Sequence, residues 1–389
     1  MMLRFIIKRL VSGLVILFLF QTAIFFAVQL ILPGDYISQF VMFLSSGEEQ
    51  ELRQYLGLDL PIWERYLNWL QNLLRGDLGR SFSLRGPGPS VFEILKDVTP
   101  PTILVFGVGT ALAFLLGLWL GKITGWRKPG LLTGTITFGG IALYTSFPPW
   151  LAFLLVYFIS TQLGILPNLL SHRLWQNAPL TSSQVMFDMV LALLFVIAWV
   201  LVLNALLSRL TRRGLPTPVF LLFVAAGWMG SWHLMGMYPY ALDIARAAAL
   251  PLIGYVLLSF GEIMLIMRTT MLDVMHEQYV HTARAKGLAD NAVRDRHVAR
   301  NAILPVLSGL VVRLPYLFTG AVMLEKALHW EGVGTELFTA VGYQNILLVM
   351  GLVLVIGVIS LVARLLLDIL QVWLDPRLQG AAGEVRELL

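Results

Sequence analysis

The chain has 389 residues, 57% of them hydrophobic and only 13% charged, with a net charge of +5. A soluble domain carries about a quarter charged residues, so this is the composition of a polytopic membrane protein, and its 11 Trp and 22 Phe suit lipid-facing surfaces and interfacial belts. The absence of cysteine excludes disulfides, Cys-zinc sites, iron–sulfur clusters and a Cys nucleophile, and basic residues concentrated in short loops give no reason to expect nucleic acid as a partner.

Arg4, Lys8 and Arg9 precede an apolar run from Leu10 to about Leu32. The run is too long for a signal-peptide core and lacks a small-x-small cleavage site, so residues 1–32 read as a retained transmembrane helix. Residues 33–101 form the one sizeable extracytoplasmic segment. Helical periodicity there covers Glu48–Leu56 and Ile62–Leu74, with Trp63, Tyr66 and Trp69 on a packed or interfacial face, and turns fall at Arg75-Gly76-Asp77-Leu78-Gly79 and Gly86-Pro87-Gly88-Pro89.

Residues 102–389 read as the transmembrane domain. Apolar runs near 102–121, 134–160, 185–207, 217–237, 248–267, 304–324 and 346–373 each reach the roughly 20 residues that cross hydrocarbon, about eight spans in all. Backbone groups must be satisfied inside lipid, so these are helices and the fold class is all-α. Arg4, Lys8, Arg9; Lys122, Arg127, Lys128; Arg209, Arg212, Arg213; and Arg268, Arg284, Lys286, Arg294, Arg296, Arg300 all fall on one side of an alternating topology. The opposite short loops carry about one basic residue each, Arg173, Arg246 and Lys326, so both termini are expected in the cytoplasm.

Chemistry is sparse. Gly117-Leu-Trp-Leu-Gly121-Lys122-Ile-Thr124 faintly echoes a phosphate-binding loop, but the glycine spacing is short and the stretch ends a membrane helix, so it reads as helix packing. The six histidines are scattered, and no H-E-x-x-H or G-x-S-x-G occurs. Glu262, Arg313, Arg364 and Asp368 lie within apolar segments, where charge is costly. Arg364 and Asp368, four apart, share a helix face and are expected to pair; Glu262 and Arg313 are candidates for a pair between helices. These four read as buried ion pairs or as the polar lining of a path, and an ion-coupled secondary transporter would use such residues too.

The loop 268–303 is more specific. Helix is expected over Glu277–Lys286, a stop at Gly287, and a second helical stretch over Asp290–Ala302 up to Pro305. Such a protrusion fits a groove on a partner; from charge alone a solvated basic loop near anionic headgroups is the stronger reading.

The residue order in this loop resembles a known family. Thr282-Ala283-Arg284-Ala285-Lys286-Gly287-Leu288, followed by Arg296-His297-x-x-Arg300-Asn301-Ala302-x-x-Pro305, is similar to the EAA-type signature of ABC importer permeases, in particular the first-subunit type of the dipeptide/oligopeptide/nickel branch. Leu32-Pro33-Gly34-Asp35, Leu56-Gly57-Leu58-Asp59-x-Pro61, Arg75-Gly76-Asp77-Leu78-Gly79-x-Ser81, Ser146-Phe147-Pro148, Glu325, Gly332-x-Gly334, and Asp368 with Asp375-Pro376-Arg377 agree in order.

The resemblance implies a non-catalytic membrane subunit that pairs with a second, homologous permease, two cytoplasmic ATPase subunits and an extracytoplasmic substrate-binding protein, with ATP and Mg on the ATPases and no cofactor on this chain. Tyr279, Thr282, Ala283, Arg284, Ala285, Lys286, Gly287, Leu288, Arg296, His297, Arg300 and Asn301 would form the ATPase-coupling loop. Peptides are the leading substrate class, with nickel, opines or oligosaccharides behind. The chain departs from the family's six-helix core by an inserted helix pair at about 185–237, and has Glu331, Gln344-Asn345-Ile346 and Arg364 where the family has other residues.

Overall fold

The computed structural model describes residues 2–31, 34–82, 88–211 and 214–374. Among them the helices run α1 (Met2–Ile31), α2 (Ser46–Tyr55), α3 (Ile62–Leu74), α4 (Val91–Trp126), α5 (Leu131–Tyr144), α6 (Pro148–Leu155), α7 (His172–Trp175), α8 (Ser182–Thr211), α9 (Thr217–Leu234), α10 (Tyr238–Val274), α11 (Gln278–Ala285), α12 (Asp290–Ala292), α13 (Ala299–Ala327), α14 (Val333–Gly342) and α15 (Ile346–Leu374). Six are long and apolar enough to cross a membrane, seven if the bent pair α5–α6 counts as one span. The expected span 304–324 lies within α13, 29 residues long. The side chains of 310–321, Arg313 among them, lie outside the described residues, as do Leu32-Pro33, Gly86-Pro87, Arg212-Arg213 and Asp375-Pro376-Arg377.

The central pair is α4 and α10, which pack along most of their length. Gly109, Gly117, Gly121 and Gly125 make this possible. A Cβ on Gly117 would lie 2.9 Å from the Phe260 carbonyl oxygen, and one on Gly121 2.6 Å from that of Met264. Small residues at such spacing let membrane helices meet backbone to backbone, so the stretch that echoes a phosphate loop is a packing seam. On the other side of α10, Gly261 abuts the Gly140 carbonyl of α5.

The expected span 134–160 is not one continuous helix. α5 and α6 meet at an angle of 107°. Pro148 and Pro149 open α6 without amide hydrogens, and Phe147 before them is extended, with φ −68° and ψ 120°. A residue preceding proline is pushed out of the helical region, which breaks the run although the two helices together are apolar enough to span.

α1 runs antiparallel to α15. Gly13 nests against Leu361 and Gly357 against Leu17, and the Gln21 side-chain amide donates to the Met350 carbonyl at 3.3 Å. This register corrects the expected Arg364–Asp368 pair. Asp368 is buried and faces α1, where Arg9 Nε lies 3.6 Å from its Oδ2. Four-residue spacing permits a pair on one helix, but a neighbouring helix supplies the cation.

In the inserted pair, the first turns of α8 bury Val185, Met186 and Met189 with Trp232, Leu104, Val105 and Ile244. Farther along α8, Val200 is buried, while Phe195, Trp199, Leu206 and Leu210 are exposed. Asp243 on α10 ties down the preceding loop, accepting from the Ser171 amide at 3.0 Å and Trp175 Nε1 at 2.9 Å. Deleting 185–237 removes an even number of spans, so a C-terminal reporter should stay on its native side. Uncovering Leu104, Val105 and Ile244 should nevertheless lower the melting temperature in detergent. A reporter on the opposite side would contradict the first expectation, and an unchanged melting temperature the second.

Candidate coupling site

α11 is amphipathic on a small scale. Val280 and Ala283, three apart, turn inward onto Val293, Val298, Ala302, Met267 and Met271. Tyr279, His281, Thr282, Arg284, Ala285, Lys286, Gly287 and Leu288 are exposed. Within the loop Ala283 is a packing residue: at 5% exposure its methyl holds α11 to the bundle.

The helix stops through backbone geometry. Gly287 has φ 75°, its amide donates to the Arg284 carbonyl at 2.9 Å, and the Leu288 amide reaches the Ala283 carbonyl at 3.4 Å. This is a left-handed glycine cap, and with nothing within 4 Å of a Cβ at Gly287 the constraint is conformational rather than steric. Leu288 is turned outward, 42% exposed, at the tip.

Beyond the tip, α12 continues through a π-helical turn, Val293–Val298, into α13. The expected stop at Pro305 does not occur: Pro305 is exposed inside α13. An exposed proline only frees the carbonyl four residues back, and the helix runs on.

Side chains that the sequence does not connect brace the protrusion. Lys122 Nζ at the end of α4 lies 3.0 Å from Asp295 Oδ1, and Arg294 donates to the same carboxylate at 2.9 and 2.8 Å. The Arg284 guanidinium lies over the Trp126 ring, 5.4 Å from its centroid. Asn301 Nδ2 donates to the Tyr279 hydroxyl at 2.7 Å, joining α13 to α11. Arg296 and Arg300 are exposed and His297 is half-buried. Of these partners, Lys122 was visible only as a loop charge, and nothing in the order of residues pointed to Trp126 or Asp295.

The hydrogen bonds from Arg294, and then the Lys122 ammonium, hold the Asp295 carboxyl down to about 2. A depressed folded-state value means the stabilisation is complete above the ordinary carboxylate range and is lost only as pH falls toward about 2. Partner association that depends on this brace should therefore be flat between about pH 8 and 5; a loss within that window, measured by co-purification at each pH, would contradict it.

At the opposite end of α4 lies a buried polar clasp. Glu325, 2% exposed, accepts from the Thr102 hydroxyl at 2.8 Å and from the amides of Gly334 and Thr335 at 2.7 and 3.3 Å. Thr102 Oγ1 in turn accepts from the Val333 amide at 2.7 Å. The carboxylate thus sits at the N-terminus of α14, where free amides and the helix dipole favour negative charge. Gly332 and Gly334 leave no room for side chains: a Cβ on Gly334 would lie 2.6 Å from Val322 Cα, and one on Gly332 would press on Glu325 and Thr102. Trp330 Nε1 donates to the Pro101 carbonyl at 3.2 Å, closing the seam to α4. Asn345 ties α15 to the segment between α3 and α4, donating to Ser81 Oγ at 2.8 Å and accepting from the Phe82 amide at 3.3 Å.

Glu262 and Arg364 lie apart from both sites. Glu262 accepts from the Tyr144 hydroxyl at 3.1 Å beside the α5–α6 break, and Arg364 is half-buried on α15. Among the described residues there is no group of His, Asp and Glu side chains that could hold a metal ion.

Comparison with known proteins locates the chain among transport components. Residues 113–380 match the model of the binding-protein-dependent transport system inner membrane component family, and residues 2–92 match the N-terminal model of such membrane components. A putative peptide permease protein of Brucella suis is 28% identical over 386 residues, covering 97% of this chain and 99% of that protein. The dipeptide transport system permease protein DppB of Escherichia coli is 27% identical over 383 residues, covering 97% and 99%. The oligopeptide transport system permease protein AppB of Bacillus subtilis is 25% identical over 379 residues, covering 96% and 99%.

Proposed function

The chain belongs to the family of binding-protein-dependent transport system inner membrane components, and from that premise we propose that it is one of two permease subunits of an ABC importer for peptides. It is a multi-pass, all-α inner-membrane protein. In the proposed assembly two cytoplasmic ATPases seat on α11 and the corresponding helix of the second permease, and an extracytoplasmic binding protein delivers substrate. The names of relatives covered along nearly their whole length support the peptide class. The observation that carries the reading is the exposed α11 tip, capped by Gly287 and braced to α4.

The brace gives the proposal a mechanism. α4 is one helix of 36 residues. It holds Lys122 and Trp126 at the protrusion and Thr102 at the clasp, about 30 Å away at 1.5 Å per residue. A push on α11 when the ATPases close is passed through Lys122–Asp295 and Arg284–Trp126 into α4. The glycine seam against α10 lets α4 slide or tilt without leaving its partner. At the far end the movement reaches Glu325 and α14, beside the extracytoplasmic mouth. This chain binds no nucleotide in the scheme; ATP and Mg belong to the partners.

The test is reconstitution. Co-expressed with its second permease and ATPases, the chain should co-purify with the ATPases and support ATP-dependent peptide uptake that stops when they are omitted. Uptake by the purified chain alone, driven by a proton gradient, would overturn the proposal. Lys122→Ala should lower uptake per ATP hydrolysed while ATPase binding persists, because it cuts the brace without altering the exposed tip. An unchanged transport-to-hydrolysis ratio would remove α4 from the coupling route.

A further inference from the structure

We propose that α3 is an interfacial helix, lying on the bilayer surface opposite the coupling protrusion with Trp63, Leu67 and Leu74 seated in lipid. Its face toward the protein is well defined. Tyr66 and Trp69 pack on Phe25 of α1 with ring centroids 5.3 and 5.7 Å apart, and Tyr66 also meets Phe26 at 5.3 Å. The Tyr66 hydroxyl bonds Thr22 of α1 at 2.9 Å. Ile62 and Leu73 join the same cluster.

The apolar surface of α3 does not end where that contact ends. At 3.6 residues per turn the protein-facing residues, Ile62, Tyr66, Trp69, Leu70 and Leu73, span a sector of about 100°. Trp63, Leu74 and Leu67 extend the apolar arc by about 60° on one flank only. The other flank carries Arg65 and Asn72, and the outer face carries Glu64, Asn68 and Gln71. Trp63 is 58% exposed, Leu67 43% and Leu74 80%. A helix with one apolar sector against protein and a second beside it fits the corner between a spanning helix and the membrane surface.

The depth of α3 identifies what covers the flank. It is bonded to residues 22–26 of α1, near the end of a 25-residue apolar span, Ile7–Ile31. On α1 the exposed apolar residues Phe18, Leu19 and Phe20 precede that contact, and Leu30 and Ile31 follow it. α3 therefore sits between stretches of α1 that themselves need lipid. Trp63 at one end of the helix and Arg75 at the other suit the headgroup boundary, where amphipathic rings and long cations concentrate.

The natural chain has no cysteine, so single-cysteine labelling needs no background substitutions. Spin labels at Leu67→Cys, Leu74→Cys, Asn68→Cys and Asn72→Cys, in the full chain reconstituted in lipid nanodiscs, would be compared for collision with oxygen and with a water-soluble nickel chelate. The expected oxygen-to-nickel ratio is several-fold higher at 67 and 74 than at 68 and 72. Equal nickel access at all four positions would make the flank aqueous and overturn the proposal. Exclusion of both probes at 67 and 74 would show that protein, such as a second copy of the chain, covers the flank and would also overturn it. All four positions are solvent-exposed or lipid-exposed, and retention of the native elution volume checks that each variant folds.

Discussion

Arg284→Glu combined with Lys286→Glu is expected to release the ATPase from the membrane subunits and abolish ATP-driven uptake, with membrane insertion intact. Both side chains are exposed, and the inward residues Val280 and Ala283, which hold α11 in place, are untouched. The fold should therefore survive, apart from the loss of the Arg284 contact with Trp126. Charge-assisted contacts contribute about 1.5–3 kcal/mol each, so reversing both should weaken association by on the order of 100-fold or more. Co-purification and direct binding of the isolated ATPase measure this. If the basic loop only meets anionic headgroups, the double variant binds the ATPase normally, and the docking assignment is lost. Gly287→Trp approaches the same tip differently. A φ of 75° costs a side chain of ordinary handedness about 1–2 kcal/mol, so the cap distorts and Leu288 is re-aimed although a Cβ there meets nothing within 4 Å.

The sequence discloses elements whose signal is local and hides those whose cause is a neighbour. α3 falls at Ile62–Leu74, where periodicity puts it, and the Gly287 cap follows from a glycine after a short helix-forming run. The break at Pro148-Pro149 leaves no trace in hydropathy, because the two helices together are still long and apolar enough to span. The partner of Asp368 could not be read from α15, since the register of α1 against it depends on Gly13 and Gly357 meeting Leu361 and Leu17. The inward turn of Ala283 follows from which face of α11 meets Val293 and Val298. Glu325 and the Gly332-x-Gly334 pair stood out as a motif, whereas the hydroxyl that joins them, Thr102, lies on a helix more than two hundred residues earlier in the chain. Long-range pairings of this kind leave no periodic trace.

Gly332→Ala is expected to be among the most damaging single-methyl additions in the chain. The new Cβ would meet both carboxylate oxygens of Glu325 and the Thr102 hydroxyl, well inside van der Waals contact. None of these atoms is the free end of a flexible side chain: the carboxylate is held by Gly334, Thr335 and Thr102, and Thr102 by Val333. Overpacking alone costs about 1–3 kcal/mol, and displacing the carboxylate orphans buried donors at about 1–3 kcal/mol each. The expected result is a large fall in melting temperature and loss of uptake. Gly107→Ala on α4, where a Cβ meets nothing within 4 Å, should be neutral or slightly stabilising, because alanine is the better helix former. Glu325 variants separate shape from bonding. Glu325→Ala takes the carboxylate acceptor from the Thr102 hydroxyl and leaves the Gly334 and Thr335 amides without it, and should approach Gly332→Ala in severity. Glu325→Gln keeps the shape and an acceptor for Gly334, while Thr102 rotates to accept from the new amide; it should retain most of the stability. If Glu325→Gln also keeps ATP hydrolysis but loses uptake, the clasp takes part in opening the extracytoplasmic mouth. If Gly332→Ala matches the parent in both melting temperature and uptake, α14 is not held by this network, and the far end of the α4 route has no anchor.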